Sequence, residues 1–198
     1  MIRSFLAIEL PEAIRRKIEE VQKELKLSHA DVRWVNPQNI HLTLKFFGNI
    51  DESRIDPIVK SLEGPIQTTS PFSLSIRGMG SFPHSKNPRV IWMGLQEGKE
   101  VLAALQKGVD GELIKIGFEP EGRDFHPHLT LGRAKSNRGR DELIGRMQKY
   151  QEEEFGNFRV ERVILFKSDL KPSGPVYTRL REMKLGLQVR LVKYSSLK

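Results

Sequence analysis

Apolar and polar residues follow one another along the chain in patterns that predict strands and helices in a repeated order. The run RSFLAIEL, residues 3–10, predicts a buried strand, and Pro11 opens a helix where its missing N–H costs nothing. Four apolar residues recur down one face of that helix, namely Ile14, Ile18, Val21 and Leu25. A loop over residues 28–40 follows. The segment HLTLKFF, residues 41–47, then predicts an alternating strand ended by Gly48 and Asn49.

The pattern continues with a second helix and a third strand. Asp51 or Ser53 caps this helix and Gly64-Pro65 ends it, and the strand FSLSIRGMG begins at Phe72. The predicted elements then start again: a strand over 89–96, a helix from 99 to about 116 interrupted by Gly108 and Gly111, a strand on a second HLTL, a helix over 141–150, one long strand over 158–166, and a strand over 176–183 that follows a turn at 171–174.

The spacing of these elements indicates a duplicated unit. Arg3 and His41 are 38 positions apart and Arg89 and His128 are 39 apart, while each histidine precedes the next strand by about 30 positions. We therefore expect an α+β protein, a single bilobal domain over 1–198. Its two pseudo-symmetric β-α-β-α-β lobes, about 1–80 and 89–185, have mainly antiparallel sheets facing a central cleft and helices outside. A short basic tail remains, which is either a final strand or an appendage.

Composition narrows the class of protein. With 38% hydrophobic and 29% charged residues the chain is predicted to be a soluble globular protein. No apolar run is long enough for a membrane span or a secretory signal, so we expect it in the cytoplasm. We also expect a monomer. The absence of cysteine excludes disulfides, a thiol nucleophile and Cys-ligated zinc. A net charge of +8 favours polyanionic partners, though a solvated, salt-bridged surface accounts for it equally well.

The tetrapeptide His-Leu-Thr-Leu occurs twice, at 41–44 and 128–131. Successive side chains of a strand alternate between faces, so His41 and Thr43 share one face while Leu42, Leu44 and Phe46 take the other. If the lobes pack with their sheets facing, two His-Thr pairs converge. One imidazole can then remove a proton from water or a hydroxyl while the other protonates a leaving oxygen. The threonine hydroxyls can donate hydrogen bonds to phosphate oxygens.

The repeated tetrapeptide also allows roles other than catalysis. A histidine or threonine in a strand is often only a packing residue, and two imidazoles can bind a metal. The metal hypothesis is weak because no carboxylate lies at a fixed spacing, and Asp124 and Glu121 can help only from a loop. A noncatalytic module that grips RNA ends is a further alternative. No P-loop is present to suggest ATP-driven chemistry. The remaining histidines, His29, His84 and His126, are loop residues without an assigned role.

The two motifs with their contexts resemble the 2H phosphoesterase superfamily. The segments RSFLAIELPEAIRRKI, WVNPQNIHLTLKFFGNI and FHPHLTLGRAK are most similar to the RNA 2',3'-cyclic phosphodiesterases, historically named 2'-5' RNA ligases, and the similarity runs from Ile2 to about Lys184. The resemblance implies a bilobal fold with the active site between the lobes. It also implies metal-free hydrolysis of RNA or nucleoside 2',3'-cyclic phosphates to 2'-phosphomonoesters, without a cofactor. Some members join or cleave 2'-5' linkages reversibly.

The resemblance also implies roles for individual residues. His41 would be the proton donor to the leaving 3' oxygen and His128 the acceptor from the attacking water, with the reverse assignment left open. Thr43, Thr130 and Arg133 would bind the phosphate.

The position of Arg133 conflicts with this role, because strict alternation places it on the face away from His128. Gly132 permits a bulge that would re-aim the arginine side chain; otherwise Arg133 is a surface cation. Three aromatic residues are candidates for stacking on a base: Phe47, expected on the His41 face, and Trp34 and Phe125 in the loops before each motif. For each of them, packing in the core is an equally good prediction.

Overall fold

Strands and helices follow one another in nearly the order that the pattern predicts. The structure, a computed structural model, describes residues 1–120, 122, 124–172 and 174–186. The strands are β1 (Ile2–Glu9), β2 (Val32–Trp34), β3 (His41–Ile50), β4 (Phe72–Phe82), β5 (Val90–Leu95), β6 (Leu129–Ala134), β7 (Glu154–Val160), β8 (Arg162–Lys171) and β9 (Gly174–Lys184). The helices are α1 (Glu12–Lys26), α2 (Ile55–Thr68), α3 (Lys99–Lys115) and α4 (Arg140–Gln148), with 3₁₀ turns at Pro37–Asn39 and Glu52–Arg54. Ser173 of the predicted turn and the basic tail beyond Gly186 lie outside the described residues.

Two antiparallel sheets carry the strands, which confirms the α+β class. The first sheet has the order β3-β1-β8-β9 and the second sheet the order β2-β6-β5-β4-β7. Each motif strand pairs with the strand that precedes it across a helix, β3 with β1 and β6 with β5. The two halves of the chain therefore build corresponding parts of the two sheets.

The third strand of each half lies in the sheet of the other half. β4, expected in the first lobe, pairs with β5 and β7 in the second sheet, whereas β8 and β9 join β1 in the first sheet. The expected long strand over 158–166 is in fact two strands that separate at Glu161 and belong to different sheets. The residues that reach the main core shift there from even numbers, Phe158 and Val160, to odd ones, Val163 and Leu165, while Ile164 and Phe166 are buried on the opposite face of the first sheet. A strand that keeps one face in the core cannot change parity without a break.

The helices run past residues that were expected to end or interrupt them. α2 continues through Gly64 and Pro65, because Ile66 on the next turn is buried in the core. Burial of such a side chain contributes about 1.5–3 kcal/mol, which offsets much of the roughly 3 kcal/mol cost of an internal proline. α3 likewise continues through Gly108, where a Cβ would come within 3.0 Å of the Pro65 Cβ. The small residue therefore lets the two helices approach closely.

One large apolar core is shared by both sheets and all four helices. It includes Leu6 and Leu42 from the first sheet and Ile91 and Leu129 from the second. A smaller cluster, Phe5, Ala7, Ile164 and Phe166, lies on the opposite face of the first sheet. None of the helices in the described ranges is long and apolar enough to cross a membrane. Each sheet thus has a face against the main core and a second face that is available to a site.

Candidate active site

The first motif lies at the start of β3, with His41 and Thr43 on the face away from the main core. Thr43 pairs with Ala7 and His41 with Glu9 of β1, while Leu42 pairs with Ile8 in the core. The register slips at Leu44, so Lys45 turns inward and is only 4% exposed. β3 is therefore bulged inside the motif itself.

The buried lysine is held on the core side by polar partners. Its Nζ lies 2.5 Å from Asp110 Oδ1 of α3 and donates a 2.8 Å hydrogen bond to the Glu119 carbonyl. Glu119 belongs to the loop that leads to the second motif. The bulge thus ties the first motif strand to that loop.

The same bulge corrects the predicted positions of two aromatic residues. Phe46, expected on the leucine face, pairs with Phe5, and its side chain is 59% exposed on the His41 face. Phe47, expected beside His41, packs instead against the main core, with its ring 5.2 Å from that of Phe118. Strict alternation fails here because the ladder contains an extra residue.

The other two stacking candidates also pack against the main core. Trp34 lies in the short strand β2, opposite Gly132, on the core side of the second sheet. Phe125 is half-buried against the same core. For all three aromatic candidates, core packing is what the structure shows.

His41 is held in one orientation by its backbone and by aromatic rings. Its Nδ1–H donates a 2.8 Å hydrogen bond to the Asn39 carbonyl, which can only accept, so the lone pair of the neutral ring is on Nε2. The ring stacks on Phe5 at 4.5 Å and meets the edge of Tyr177 at 5.3 Å. Burial lowers the pKa of His41 below its ordinary value, while the Asn39 hydrogen bond and the charge of Glu9 act to raise it.

The second histidine is presented in the same way. His128 immediately precedes β6, and its Nδ1–H donates a 2.6 Å hydrogen bond to the His126 carbonyl, again two residues upstream. Its ring lies 5.1 Å from that of Phe82 and 6.5 Å from that of Trp92. Both imidazoles therefore carry their proton on Nδ1 and leave Nε2 available when neutral.

Arg133 lies on the same face of the second sheet as Thr130. Thr130 pairs with Trp92 and Arg133 with Val90, and these two positions of β5 share a face. The ladder slips between them, so Leu131 is an extra residue and alternation is reset. The bulge that was predicted at Gly132 is thus present one residue earlier, at Leu131, and it turns Arg133 to the Thr130 face.

Gly132 is required by the close approach of β2. A Cβ at this position would lie 2.7 Å from Val32 Cγ1 and 3.0 Å from a ring carbon of Trp34. Any side chain there would push β2 away from β6. The glycine therefore supports the edge of the sheet next to Arg133.

The segment between β2 and β3 joins the two motif strands. The Val35 N–H donates to the Leu131 carbonyl at 2.9 Å, and the buried amide of Gln22 donates to both carbonyls, Val35 at 2.8 Å and Leu131 at 2.9 Å. Since a chain extends by at most about 3.5 Å per residue, His41 lies within roughly 20 Å of Val35. Hydrogen bonds thus connect the segment that precedes β3 in the first sheet to β6 in the second sheet.

Several residues around the histidines carry no local signal in the sequence. Tyr177 comes from β9, Phe5 from β1, and Phe82 and Trp92 from β4 and β5. Each reaches its histidine only through strand pairing. The repeated order of elements gives a partial signal for Glu9, Phe5 and Trp92, because each lies in the strand that precedes a motif across a helix and pairs with the motif strand.

The described residues contain no cluster of three or more histidine and acidic side chains arranged to hold a metal ion. Asp124 is exposed in the loop before β6, and Glu121 lies outside the described residues.

Comparison with known proteins places the chain in a family. The model of the LigT-like phosphoesterases matches twice in succession, over residues 8–92 and 94–177, and each match contains one HLTL motif. An RNA 2',3'-cyclic phosphodiesterase of Methanothermobacter thermautotrophicus is 41% identical over 93% of this chain and 99% of its own length. One of the same name from Aquifex aeolicus is 36% identical over 94% and 98%.

Solved structures agree with these sequence relatives. A crystal structure of a Thermus thermophilus protein superposes with a TM-score of 0.78 at 27% identity, over 94% of this chain and 100% of that one. E. coli LigT complexed with 3'-AMP gives 0.72 at 25% identity, over 93% and 98%. The twin motifs, the two sheets that carry them and these similarities together show that the chain belongs to the LigT-like phosphoesterase family of 2H phosphoesterases.

Proposed function

We propose that this protein is a phosphodiesterase that hydrolyses the 2',3'-cyclic phosphate at RNA ends, or on a nucleoside, to a 2'-phosphomonoester. The names of its relatives support this substrate class. The observation that carries the mechanism is the matched presentation of His41 and His128, each with Nδ1–H fixed to a carbonyl two residues upstream and a threonine two residues downstream. Because both rings keep Nε2 available, one imidazole can serve as the general acid and the other as the general base.

The proposed reaction is a displacement at phosphorus. Nε2 of His128 accepts a proton from the attacking water as its oxygen bonds to phosphorus. The bond from phosphorus to the 3' oxygen breaks, and Nε2–H of His41 gives its proton to that oxygen. The product carries a 2'-phosphate and a free 3' hydroxyl. His128 then returns its proton to solvent and His41 takes one up, which restores the starting state.

Three further side chains stabilise the phosphate in this proposal. Thr43 and Thr130 are half-buried, and within the described residues neither hydroxyl has a hydrogen-bond partner. They are therefore free to donate to nonbridging oxygens, and Arg133 supplies a cation on the Thr130 face.

Protonation of the donor is coupled to substrate in this mechanism. Burial lowers the pKa of His41, so the free site favours the neutral ring at neutral pH. A phosphate anion beside the ring favours the charged form and raises that pKa. Bound substrate thus favours the protonated form of His41, which then gives its proton to the leaving 3' oxygen.

Turnover of a nucleoside 2',3'-cyclic phosphate in EDTA tests the proposal, with ³¹P NMR to tell the 2'- from the 3'-monophosphate. His41→Ala and His128→Ala should each lower kcat/KM by at least about 100-fold. His29→Asn is the matched control, because His29 has a positive φ of 50° that asparagine tolerates. Saturable binding without product would indicate a noncatalytic module, and wild-type turnover in the alanine variants would contradict the site.

If an RNA 5' hydroxyl took the place of water at the same site, the reaction would form a 2'-5' linkage. A ligation assay with cyclic-phosphate and 5'-hydroxyl RNA ends measures this activity directly.

We also propose that the protein acts as a monomer in the cytoplasm. The single main core, which draws on both halves of the chain, supports a monomeric folding unit. Light scattering and cell fractionation test these two points.

A further inference from the structure

Two arginines face each other across the edge of the second sheet. Arg33 of β2 and Arg133 of β6 are directly paired in register, and both are exposed. Lys135, the first residue after β6, is also exposed, and its N–H donates a 2.8 Å hydrogen bond to the carbonyl of half-buried Asp31. We call Arg33, Arg133 and Lys135 the cation row.

The cation row lies on the face that carries Thr130. Arg133 shares that face through its partner in β5, and Arg33 shares it because it pairs with Arg133. The residues on either side of Arg33, Val32 and Trp34, pack against the core on the other face. The two arginines therefore lie beyond the second motif on the Thr130 face, and Lys135 follows directly after the end of β6.

This arrangement is unfavourable for the protein alone. Like charges directly opposite each other in an antiparallel pair destabilise the pairing. In the described ranges, no member of the cation row forms an ion pair or a side-chain hydrogen bond, and Asp31 is the acidic side chain nearest in register. A bound anion would remove the repulsion, and guanidinium groups suit phosphate because they can donate two parallel hydrogen bonds.

Cations elsewhere on the surface behave differently. On α1, Arg16, Lys17 and Lys23 lie 3.7, 3.6 and 3.1 Å from glutamates one turn away on the same helix. These charges form the solvated, salt-bridged surface that the composition also allows. The cation row is thus not explained by the overall basic composition.

The spacing of the row fits a chain of phosphates. Paired positions on neighbouring strands lie about 5 Å apart, so Arg33 and Arg133 offer closely spaced sites beyond Thr130, and Lys135 follows directly after the end of β6. An extended single-stranded RNA repeats its phosphates at a comparable interval. Because a 2',3'-cyclic phosphate is a 3' end, any further phosphates belong to nucleotides on its 5' side.

We propose that Arg33 and Lys135, together with Arg133, bind the phosphodiester backbone of the nucleotides that precede the cyclic phosphate. Arg133 is shared with the reacting phosphate, and the other two extend the site. This inference rests on the proposed function and deepens it: the preferred substrate is an RNA 3' end and not a mononucleotide.

The test compares two substrates, a nucleoside 2',3'-cyclic phosphate and a short RNA oligonucleotide with the same cyclic end. The double variant Arg33→Ala/Lys135→Ala should lower kcat/KM for the RNA by about 10-fold or more, because it removes two cations that donate charge-assisted hydrogen bonds to phosphates. Turnover of the mononucleotide should not change. Arg133 is left in place because the reaction itself uses it.

Salt dependence provides a second readout. Each phosphate contact on a single strand contributes about 0.7 to the slope of log affinity against log salt, so the double variant should lower that slope by about 1.4 for RNA. Asp31→Asn removes the nearby negative charge and should strengthen RNA binding. The control Arg16→Ala/Lys23→Ala loses the same charge on α1 and should leave both readouts at wild-type values.

The outcomes separate this inference from the proposed function. If wild-type protein turns over neither substrate, the function itself fails. If the mononucleotide is turned over but the double variant keeps the wild-type ratio between substrates, the cation row is not an RNA site. An equal loss on both substrates, or an equal loss in the α1 control, also overturns the proposal.

Discussion

Glu9 lies directly opposite His41 across the β1–β3 pair. Its carboxylate accepts two hydrogen bonds from Arg179, one from Nε at 3.1 Å and one from Nη2 at 2.5 Å. The charge of Glu9 raises the pKa of His41 against the dominant effect of burial. Arg179 in turn offsets that charge. The acid-base behaviour of the first histidine is therefore set in part by an ion pair between β1 and β9.

Variants of this ion pair should shift the pH profile of kcat/KM in opposite directions. Glu9→Gln lowers the pKa of His41 further, so if His41 is the proton donor, the limb at high pH moves to lower pH. Arg179→Met leaves Glu9 unpaired and should move that limb to higher pH. Initial rates on a nucleoside cyclic phosphate across the pH range measure both. Movement of the limb at low pH instead would mean that His41 is the proton acceptor and that the roles are reversed.

The two threonines should contribute through their hydroxyls. Thr43→Val and Thr130→Val keep the shape of the strand but remove a donor to a charged phosphate, and each should lower kcat/KM by roughly 10- to 100-fold. Thr43→Ser and Thr130→Ser should retain most activity because the hydroxyl remains. Steady-state kinetics on all four variants decide this, and equal losses in the serine and valine variants would mean that packing, not the hydroxyl, matters.

The sequence predicts those features of the fold and site that depend on residues close together in the chain. Alternation and helical periodicity are local, and they locate most strands, the helices and the His-Thr pairs. Sheet membership is set by partners far away in the chain, which is why β4 and β8 were expected in the wrong sheets. The break between β7 and β8 is hidden in the sequence, because residues 163–166 are all apolar and are buried on both faces of β8.

Bulges account for the errors within the site. Alternation assumes an unbroken ladder, and the extra residue at Leu44 exchanges the faces of Phe46 and Phe47 and sends Lys45 into the core. At Gly132 the sequence does contain a warning, because glycine in a strand often marks a bulge. At Leu44 no residue type reveals it. Tyr177 reaches His41 only through β8 and β9, so no spacing along the chain could predict that contact.

Two glycines of α3 should respond differently to alanine. At Gly111 an added Cβ meets nothing within 4 Å, so Gly111→Ala should raise the free energy of unfolding by about 0.5–1 kcal/mol. At Gly108 the Cβ would come 3.0 Å from Pro65 of α2, and the crowding should remove that gain. Urea unfolding of the two variants measures the difference. An equal gain at both sites would show that α2 and α3 pack less closely than described.

His41 should make folding stability sensitive to acid. Its pKa is lower in the folded protein than the value of about 6.5 in the unfolded chain. Above that value neither state is protonated, and as the pH falls through it the unfolded chain binds the proton first, so stability is lost. His41→Asn keeps an N–H for the Asn39 carbonyl but cannot titrate. The difference in Tm, wild type minus variant, should stay constant above about pH 7.5 and fall below about pH 6.5; a rise in that difference on acidification would contradict the assigned direction.

The placement of β8, from the second half of the chain, beside β1 in the first sheet affects how the protein folds during synthesis. Ser4 of β1 pairs with Lys167 of β8, which the ribosome adds 163 residues later. One edge of β1 therefore stays open until β8 has been synthesised, and exposed strand edges can pair with other chains. Contacts of such high sequence separation also slow folding. A chain stopped after the first half would contain the first histidine but lack β8 and β9, so the sheet that carries this histidine cannot be completed until those two strands have been synthesised.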